Sequence, residues 1–164
     1  IDPFFLEETQ TTAERCVKYN KSYVTIDSKH DSYLHQHCAV NVVSKECTES
    51  DGYKDKSIEE IYELLVASTD GLVIITSGEN DMIYGRKGQL MKRMKPFSVD
   101  VKSTLGAGDT FKAGCVYGLL HGMEDDELVR FASACSAIAI SRFPLPLNPP
   151  TLLEVNSLLE NTKK

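Results

Sequence analysis

The chain has 164 residues, 41% of them hydrophobic, with 18 basic against 24 acidic side chains and a net charge of -6. That is enough apolar material for one substantial core, so one domain is expected over 1–164, and the acidic balance excludes a nucleic-acid surface and favours a small-molecule ligand. No apolar run approaches the roughly 18 residues of a membrane span, and the five cysteines, Cys16, Cys38, Cys47, Cys115 and Cys135, form no CxxC pair and predict reduced thiols in a cytoplasmic setting, without a zinc site or a disulfide framework.

The chain opens with Ile1-Asp2-Pro3-Phe4, without an initiator Met or a signal sequence, and reads as a fragment whose residues 1–4 are open to being a cloning remnant. Residues 7–19 have the spacing of a surface helix, with Ala13, Cys16 and Val17 as a narrow apolar stripe, and 22–26 form a short strand. Asp27 then falls at a strand's carboxyl end, where an acid either caps the next turn or faces a ligand crevice. Residues 29–37 are polar and irregular. Their His30, His35 and His37 have no acid or Cys arrangement to complete a metal site, so solvated loop histidines are expected. Residues 39–43 are nearly all apolar, as suits a strand covered on both faces. Ser57-Ile58-Glu59-Glu60 is a capping box opening a helix with Ile61, Leu64 and Leu65 on one face, and the strand Leu72-Val73-Ile74-Ile75 follows, closed by the turn Thr76-Ser77-Gly78. Strand, helix, strand at these lengths is a βαβ unit of a parallel sheet.

After Gly78 the pattern changes. Met82-Ile83-Tyr84 and Gln89-Leu90-Met91 flank Gly85-Arg86-Lys87-Gly88, which predicts a hairpin, and 97–101 alternate as another strand, so an antiparallel edge is expected on the parallel sheet. A helix is predicted over 110–121 with Gly122 as its stop, and a longer one over 125–142. Gly114, Gly118, Ala132, Ala134, Ala137 and Ala139 make both helices small-sided, which close packing explains better than a flat slot for a base. Glu124-Asp125-Asp126-Glu127 compensates a helix dipole. Residues 144–150 read as a stiff proline loop. Thr151-Leu152-Leu153-Glu154 is a second capping box, opening a terminal helix with Leu153, Val155 and Leu158 available for packing.

Chemistry concentrates in Ser103-Thr104-Leu105-Gly106-Ala107-Gly108-Asp109-Thr110-Phe111, which joins a predicted strand to a helix. Gly106 and Gly108 permit a tight turn with positive φ and remove the Cβ atoms that would keep a ligand from the backbone. The orphan N–H groups and positive dipole end of the following helix make this an anion cradle needing no basic side chain. Asp109 in the first turn is either a dipole partner or a base placed to take a proton from an attacking hydroxyl. There is no GxxxxGK[ST], and Gly106-x-Gly108 lacks the third glycine and ribose acid of a dinucleotide fingerprint, which counts against a P-loop and against an oxidoreductase.

Thr104-Leu105-Gly106-Ala107-Gly108-Asp109-Thr110-Phe111-Lys112-Ala113-Gly114 resembles the C-terminal signature of the PfkB/ribokinase family of carbohydrate kinases, with wording close to ketohexokinase- and fructokinase-like members. Val43-Ser44-Lys45-Glu46 resembles its NxxE segment, Ile75-Thr76-Ser77-Gly78-Glu79 its nucleotide loop, and 131–154 its terminal helices. The resemblance implies an α/β, three-layer ribokinase-like fold, mostly parallel with an antiparallel edge and present as its C-terminal, nucleotide-binding portion. It implies ATP-dependent phosphorylation of a hydroxyl on a sugar or sugar-like substrate. Asp109 would be the base, the N–H groups of Gly106, Ala107 and Gly108 the anion hole, Thr76, Gly78, Ser133 and Thr104 the nucleotide contacts, and Glu46 the organiser of water-bound Mg²⁺.

The family's N-terminal half, with its lid and sugar-binding motif, has no counterpart, so the 164-residue chain alone is expected to have little activity. Homo-oligomerisation would belong to the full-length protein. Val43 stands where NxxE has Asn, Asn80-Asp81 replaces a usual glycine, and Pro144 another. Ser103 beside Lys102 replaces the signature's first Asp, and this exchange counts against the family's monovalent-cation site. A nucleotide-binding but catalytically silent member is the alternative.

Overall fold

A computed structural model of the chain describes residues 1–144 and 147–162, and divides it into two units, Ile1–Met94 and Lys95–Lys164. Residues 145–146 of the expected proline loop lie outside the described residues.

In the first unit a 3-10 turn, Pro3–Phe5, is capped by the Asp2 side chain and leads into α1 (Leu6–Lys18). Glu7 and Glu8 in the first turn of α1 and Arg15 and Lys18 in its last complement the helix dipole. Ala13 is buried and Cys16 half-buried, but Val17 is exposed, so the apolar stripe is narrower than expected. Next come β1 (Val24–Ile26), α2 (Tyr33–Gln36), β2 (Val40–Val43), α3 (Lys45–Thr48), α4 (Ile58–Ala67), β3 (Leu72–Ser77), β4 (Asn80–Gly85) and β5 (Lys92–Met94).

The sheet order is β1-β2-β3-β4-β5; the first two pairings are parallel and the last two antiparallel. Val24 pairs with Val40 and Val40 with Leu72, which brings the carboxyl ends of three parallel strands to one edge. β2 is buried at every position, as its nearly continuous apolar run predicts, and the burial includes its one polar residue, Asn41. The Ser57–Glu60 capping box starts α4 and lays Ile61, Tyr62, Leu65 and Val66 over Val43, Val73, Ile75 and Ile83. Each such aliphatic side chain contributes about 1.5–3 kcal/mol on burial, and this cluster anchors the strands.

Two expectations on this side are corrected. The second arm of the hairpin after Gly85 is Lys92–Met94, not Gln89-Leu90-Met91: the Gln89 N–H closes a turn on Arg86 O at 3.0 Å, and pairing starts only beyond it, with Tyr84 opposite Lys92. His35 is no solvated loop histidine but lies fully buried in α2, where tertiary partners replace water.

The second unit contains α5 (Ala107–Leu120), α6 (Asp125–Ile140) and α7 (Leu152–Asn161). Residues 97–101, expected as a strand, form none: alternation requires a ladder partner to become a strand, and none pairs with them among the described residues. The chain is instead fixed just after them by Lys102 N–H, which donates to Ile140 O at 2.8 Å. α5 starts three residues earlier than expected and stops at Gly122, whose φ of 66° only glycine adopts without strain. A Cβ at Gly114 would meet the Ala132 backbone and one at Gly118 the Leu128 side chain, so the small residues serve close packing of α5 on α6. The Thr151–Glu154 capping box starts α7. Val155 is buried against Phe131, Ala134 and Ile138, and Leu158 packs at the margin, whereas Leu153 is exposed, against expectation.

Candidate active site

The glycine turn in the second unit is built almost wholly from backbone. Gly106 has φ 79° and ψ 7°, the left-handed conformation, and serves as N-cap of α5 without a side-chain cap, whereas Gly108, also expected at positive φ, already lies in the right-handed helix. An α-helix leaves its first N–H groups without intrahelical partners, so the first turn of α5 keeps its donors directed out of the helix end. One of them is engaged: the Ala107 N–H donates to Thr104 O at 3.1 Å. Gly106 O in turn accepts from Thr110 N–H at 2.9 Å and from the Thr110 hydroxyl at 2.8 Å, and the Ser136 hydroxyl of α6 donates to Ala107 O at 3.1 Å. These bonds pin the turn at both sides while leaving its mouth open. The Ser103 hydroxyl accepts the Leu105 N–H at 3.3 Å, so it serves the approach to the turn.

Asp109 stands in the same first turn, its side chain 73% exposed, with one carboxylate oxygen 3.4 Å from the ammonium of Lys112. Lys112 itself is only 19% exposed, so its stem is packed and its head is held near the carboxylate. Ser133 is buried within α6 at 3% exposure, unlike the open Thr104.

The other predicted site residues lie in the first unit. Thr76 ends the buried run of β3, and its hydroxyl donates to Val43 O at 3.3 Å. Gly78 makes the β3–β4 turn at φ 62°, exposed and with open space where a Cβ would stand. Glu46 lies exposed in the first turn of α3, whose N-cap Ser44 accepts the Cys47 N–H at 3.1 Å. Asp27, with φ 49°, fixes that cap: its Oδ1 accepts the Ser44 N–H at 2.6 Å. Asp27 also lines a cavity of about 850 Å³ together with Ser28, Lys29 and α1, so it is both a cap and a crevice residue.

The donor set limits what metal the chain holds. No group of three or more His, Cys, Asp or Glu side chains converges among the described residues. Burial, reinforced by the nearby Asp27 charge, pushes the Cys47 thiol up to about 11, so it stays protonated and offers no thiolate. A dedicated protein cage therefore does not fit. A Mg²⁺ ion that keeps several waters and takes one carboxylate plus phosphate oxygens does fit a lone exposed acid such as Glu46.

Sequence reasoning missed Ser136 and the Asp27 hold on Ser44, which arise only from tertiary packing, and also the Ser44 cap on Cys47, whose spacing is local. Lys112 was within reach, since a Lys three residues after an Asp on a helix faces it.

The family model for pfkB family carbohydrate kinases matches residues 5–150. The chain belongs to that family. Among the relatives of this pfkB-family chain are the 5-dehydro-2-deoxygluconokinase of Shouchella clausii, 33% identical over 103 residues, covering 62% of this chain and 31% of the relative. The enzyme of the same name from Bacillus licheniformis is 26% identical over 152 residues, covering 92% of this chain and 43% of the relative. The fold matches the ribokinase of Thermotoga maritima with a TM-score of 0.78 at 21% identity, covering 92% of this chain and 53% of that one. It matches the Arabidopsis thaliana ribokinase complexed with ribose and ATP with a TM-score of 0.78 at 18% identity, covering 92% and 51%. The fold is thus α/β and ribokinase-like, with a mixed five-stranded sheet, and the chain spans less than half the length of the curated relatives it matches.

Proposed function

We propose that the chain carries the phosphoryl-transfer machinery of an ATP-dependent kinase acting on a hydroxyl of a sugar or sugar-like substrate. The observation that carries this reading is the left-handed, uncapped Gly106 start of α5 with Asp109 in the same first turn. An anion hole next to an exposed base is a sufficient core for a reaction that needs positioning and charge stabilisation more than covalent chemistry.

In this reading the acceptor O–H gives its proton to the Asp109 carboxylate as its oxygen attacks the γ-phosphorus, and the bond from that phosphorus to the β-phosphate oxygen breaks, leaving ADP. The N–H groups of Gly106 and Gly108 point at the charge spreading over the transferred group, with Ala107 sharing its N–H between that charge and Thr104 O. Thr104, Thr76 and Gly78 are proposed as nucleotide contacts, whereas Ser133, at 3% exposure, is too enclosed in α6 to be one. Mg²⁺, when bound, would neutralise phosphate charge, and Glu46 would hold its waters. Lys112 keeps the Asp109 carboxylate oriented between turnovers.

Relatives named 5-dehydro-2-deoxygluconokinases direct the substrate search toward keto-deoxy sugar acids. The test is a panel of sugars and sugar acids with ATP and Mg²⁺, read as ADP release by the full-length protein. Turnover of at least one member supports the reading. ATP binding without turnover supports the second reading, a silent nucleotide binder, which the burial of Val43 favours by leaving an apolar side chain where the family motif has Asn.

A further inference from the structure

His35, Asn41, Ser28 and Thr25 form a buried polar chain beside the paired positions Thr25 and Asn41 of β1 and β2, none of them more than 2% exposed. One ring nitrogen of His35, Nε2, lies 2.9 Å from Leu65 O, an acceptor only, so Nε2 carries the hydrogen. In the neutral ring Nδ1 is then an acceptor, and Asn41 Nδ2 donates to it at 2.8 Å. The second hydrogen of Nδ2 goes to Ser28 O at 2.8 Å. Both partners of Nδ2 are acceptors, which sets the orientation of the amide. The Ser28 hydroxyl shares a hydrogen bond with Thr25 at 2.7 Å.

This leaves Asn41 Oδ1 buried without a partner among the described residues. An orphaned acceptor in an otherwise satisfied network costs about 1–3 kcal/mol and calls for a reason. Turning the amide over would exchange its two ends: Oδ1 would then stand against His35 Nδ1, which suits a ring that carries hydrogens on both nitrogens, and against Ser28 O, a second acceptor that must then move away.

We propose that Asn41 is a two-position amide switch: it holds the Ser28 carbonyl while His35 is neutral, and it turns over to accept from Nδ1–H and releases Ser28 when His35 takes a proton from water. The consequence is local. Ser28 follows Asp27, whose carboxylate holds the Ser44 N–H at the cap of α3, and both residues line the cavity of about 850 Å³. Acid therefore loosens the cavity wall and the support of the helix carrying Glu46.

Burial holds the His35 ring below the ordinary imidazole range, and neighbouring His30 opposes a second positive charge, while the hydrogen bond to Leu65 O acts the other way. From the other elements, Cys38 donates its thiol to the His35 carbonyl, Tyr23 donates to the adjacent Leu34 carbonyl, and β2 and α4 face the ring with the Asn41 amide and the Leu65 carbonyl.

The test is an NMR titration of the ¹⁵N-labelled chain from about pH 8 to about pH 4.5, across the unperturbed imidazole value of about 6.5. It needs no turnover and so stands apart from the kinase reading. Expected is the Nε2–H tautomer at high pH, then one midpoint, below that of a free imidazole, shared by the His35 nitrogens, the Asn41 side-chain amide and the Ser28 and Lys29 backbone amides. His35→Gln, neutral throughout, should hold the Asn41, Ser28 and Lys29 signals still. Titration of His35 with those signals unmoved would overturn the switch, as would their movement in His35→Gln or collapse of the whole spectrum in the same step. If the variant does not fold, the wild-type titration alone decides.

Discussion

A Cβ placed on Gly114 would lie 2.7 Å from the Cα of Ala132, closer than any real Cβ contact, so Gly114 sets how near α5 comes to α6. The neighbour is backbone and cannot yield. At Gly118 the equivalent clash, 2.9 Å, is with Cγ of Leu128, a buried side chain rather than backbone. Alanine in a helix interior is favoured over glycine by about 1 kcal/mol, whereas overpacking costs about 1–3 kcal/mol. Gly114→Ala is therefore expected to lose stability in urea unfolding, by up to roughly 2 kcal/mol once the propensity gain is subtracted. Gly118→Ala should lose less than Gly114→Ala, because its clash is with a side chain rather than backbone.

Glu154 predicts a pH dependence. The Arg142 guanidinium at 2.7 Å, helped by the Thr151 hydroxyl and N–H, holds its carboxyl at about 2, below an ordinary value of 4.5. A depressed acid contributes stability that is complete above its unfolded value and lost as pH falls through its folded value. The stability difference between wild type and Glu154→Gln should thus be constant from neutral pH to about 4.5, shrink below it and vanish near pH 2. Because both side chains are partly exposed, the neutral-pH difference should be modest, about 0.5–1 kcal/mol. Thermal unfolding across the pH series measures it.

Gly106→Val tests the turn itself. A side chain at φ 79° costs about 1–2 kcal/mol of backbone strain, and a β-branched Cβ also blocks the mouth of the cradle. Calorimetric titration should show nucleotide affinity falling at least about tenfold, since 1.4 kcal/mol is a factor of ten. Unchanged affinity would remove Gly106 from the site.

Much of this was legible because its causes are local. The two capping boxes, the buried run of β2 and β3 and the left-handed glycine at 106 each follow from a few adjacent residues. What misled depended on distant partners. Residues 97–101 alternate as a strand should, yet alternation supplies no ladder. Lys92–Met94, two of its three residues charged, became a strand because β4 was beside it. His35 sits in a polar stretch and is buried because Asn41 and Leu65 O satisfy it, which no local pattern encodes. In the second unit GAGD pointed to a tight turn and an acid, while the bond from Ser136 to Ala107 O and, in the first unit, the Asp27 grip on Ser44 appeared only in three dimensions.

The most direct test of the central claim compares kcat of Asp109→Asn with the wild type in the full-length protein, alongside ATP affinity. The substitution keeps the size of the side chain and removes its capacity to accept a proton. Turnover should fall by about 10²–10⁴ with nucleotide affinity nearly unchanged. Equal turnover in wild type and variant would contradict the assignment of Asp109 as the base.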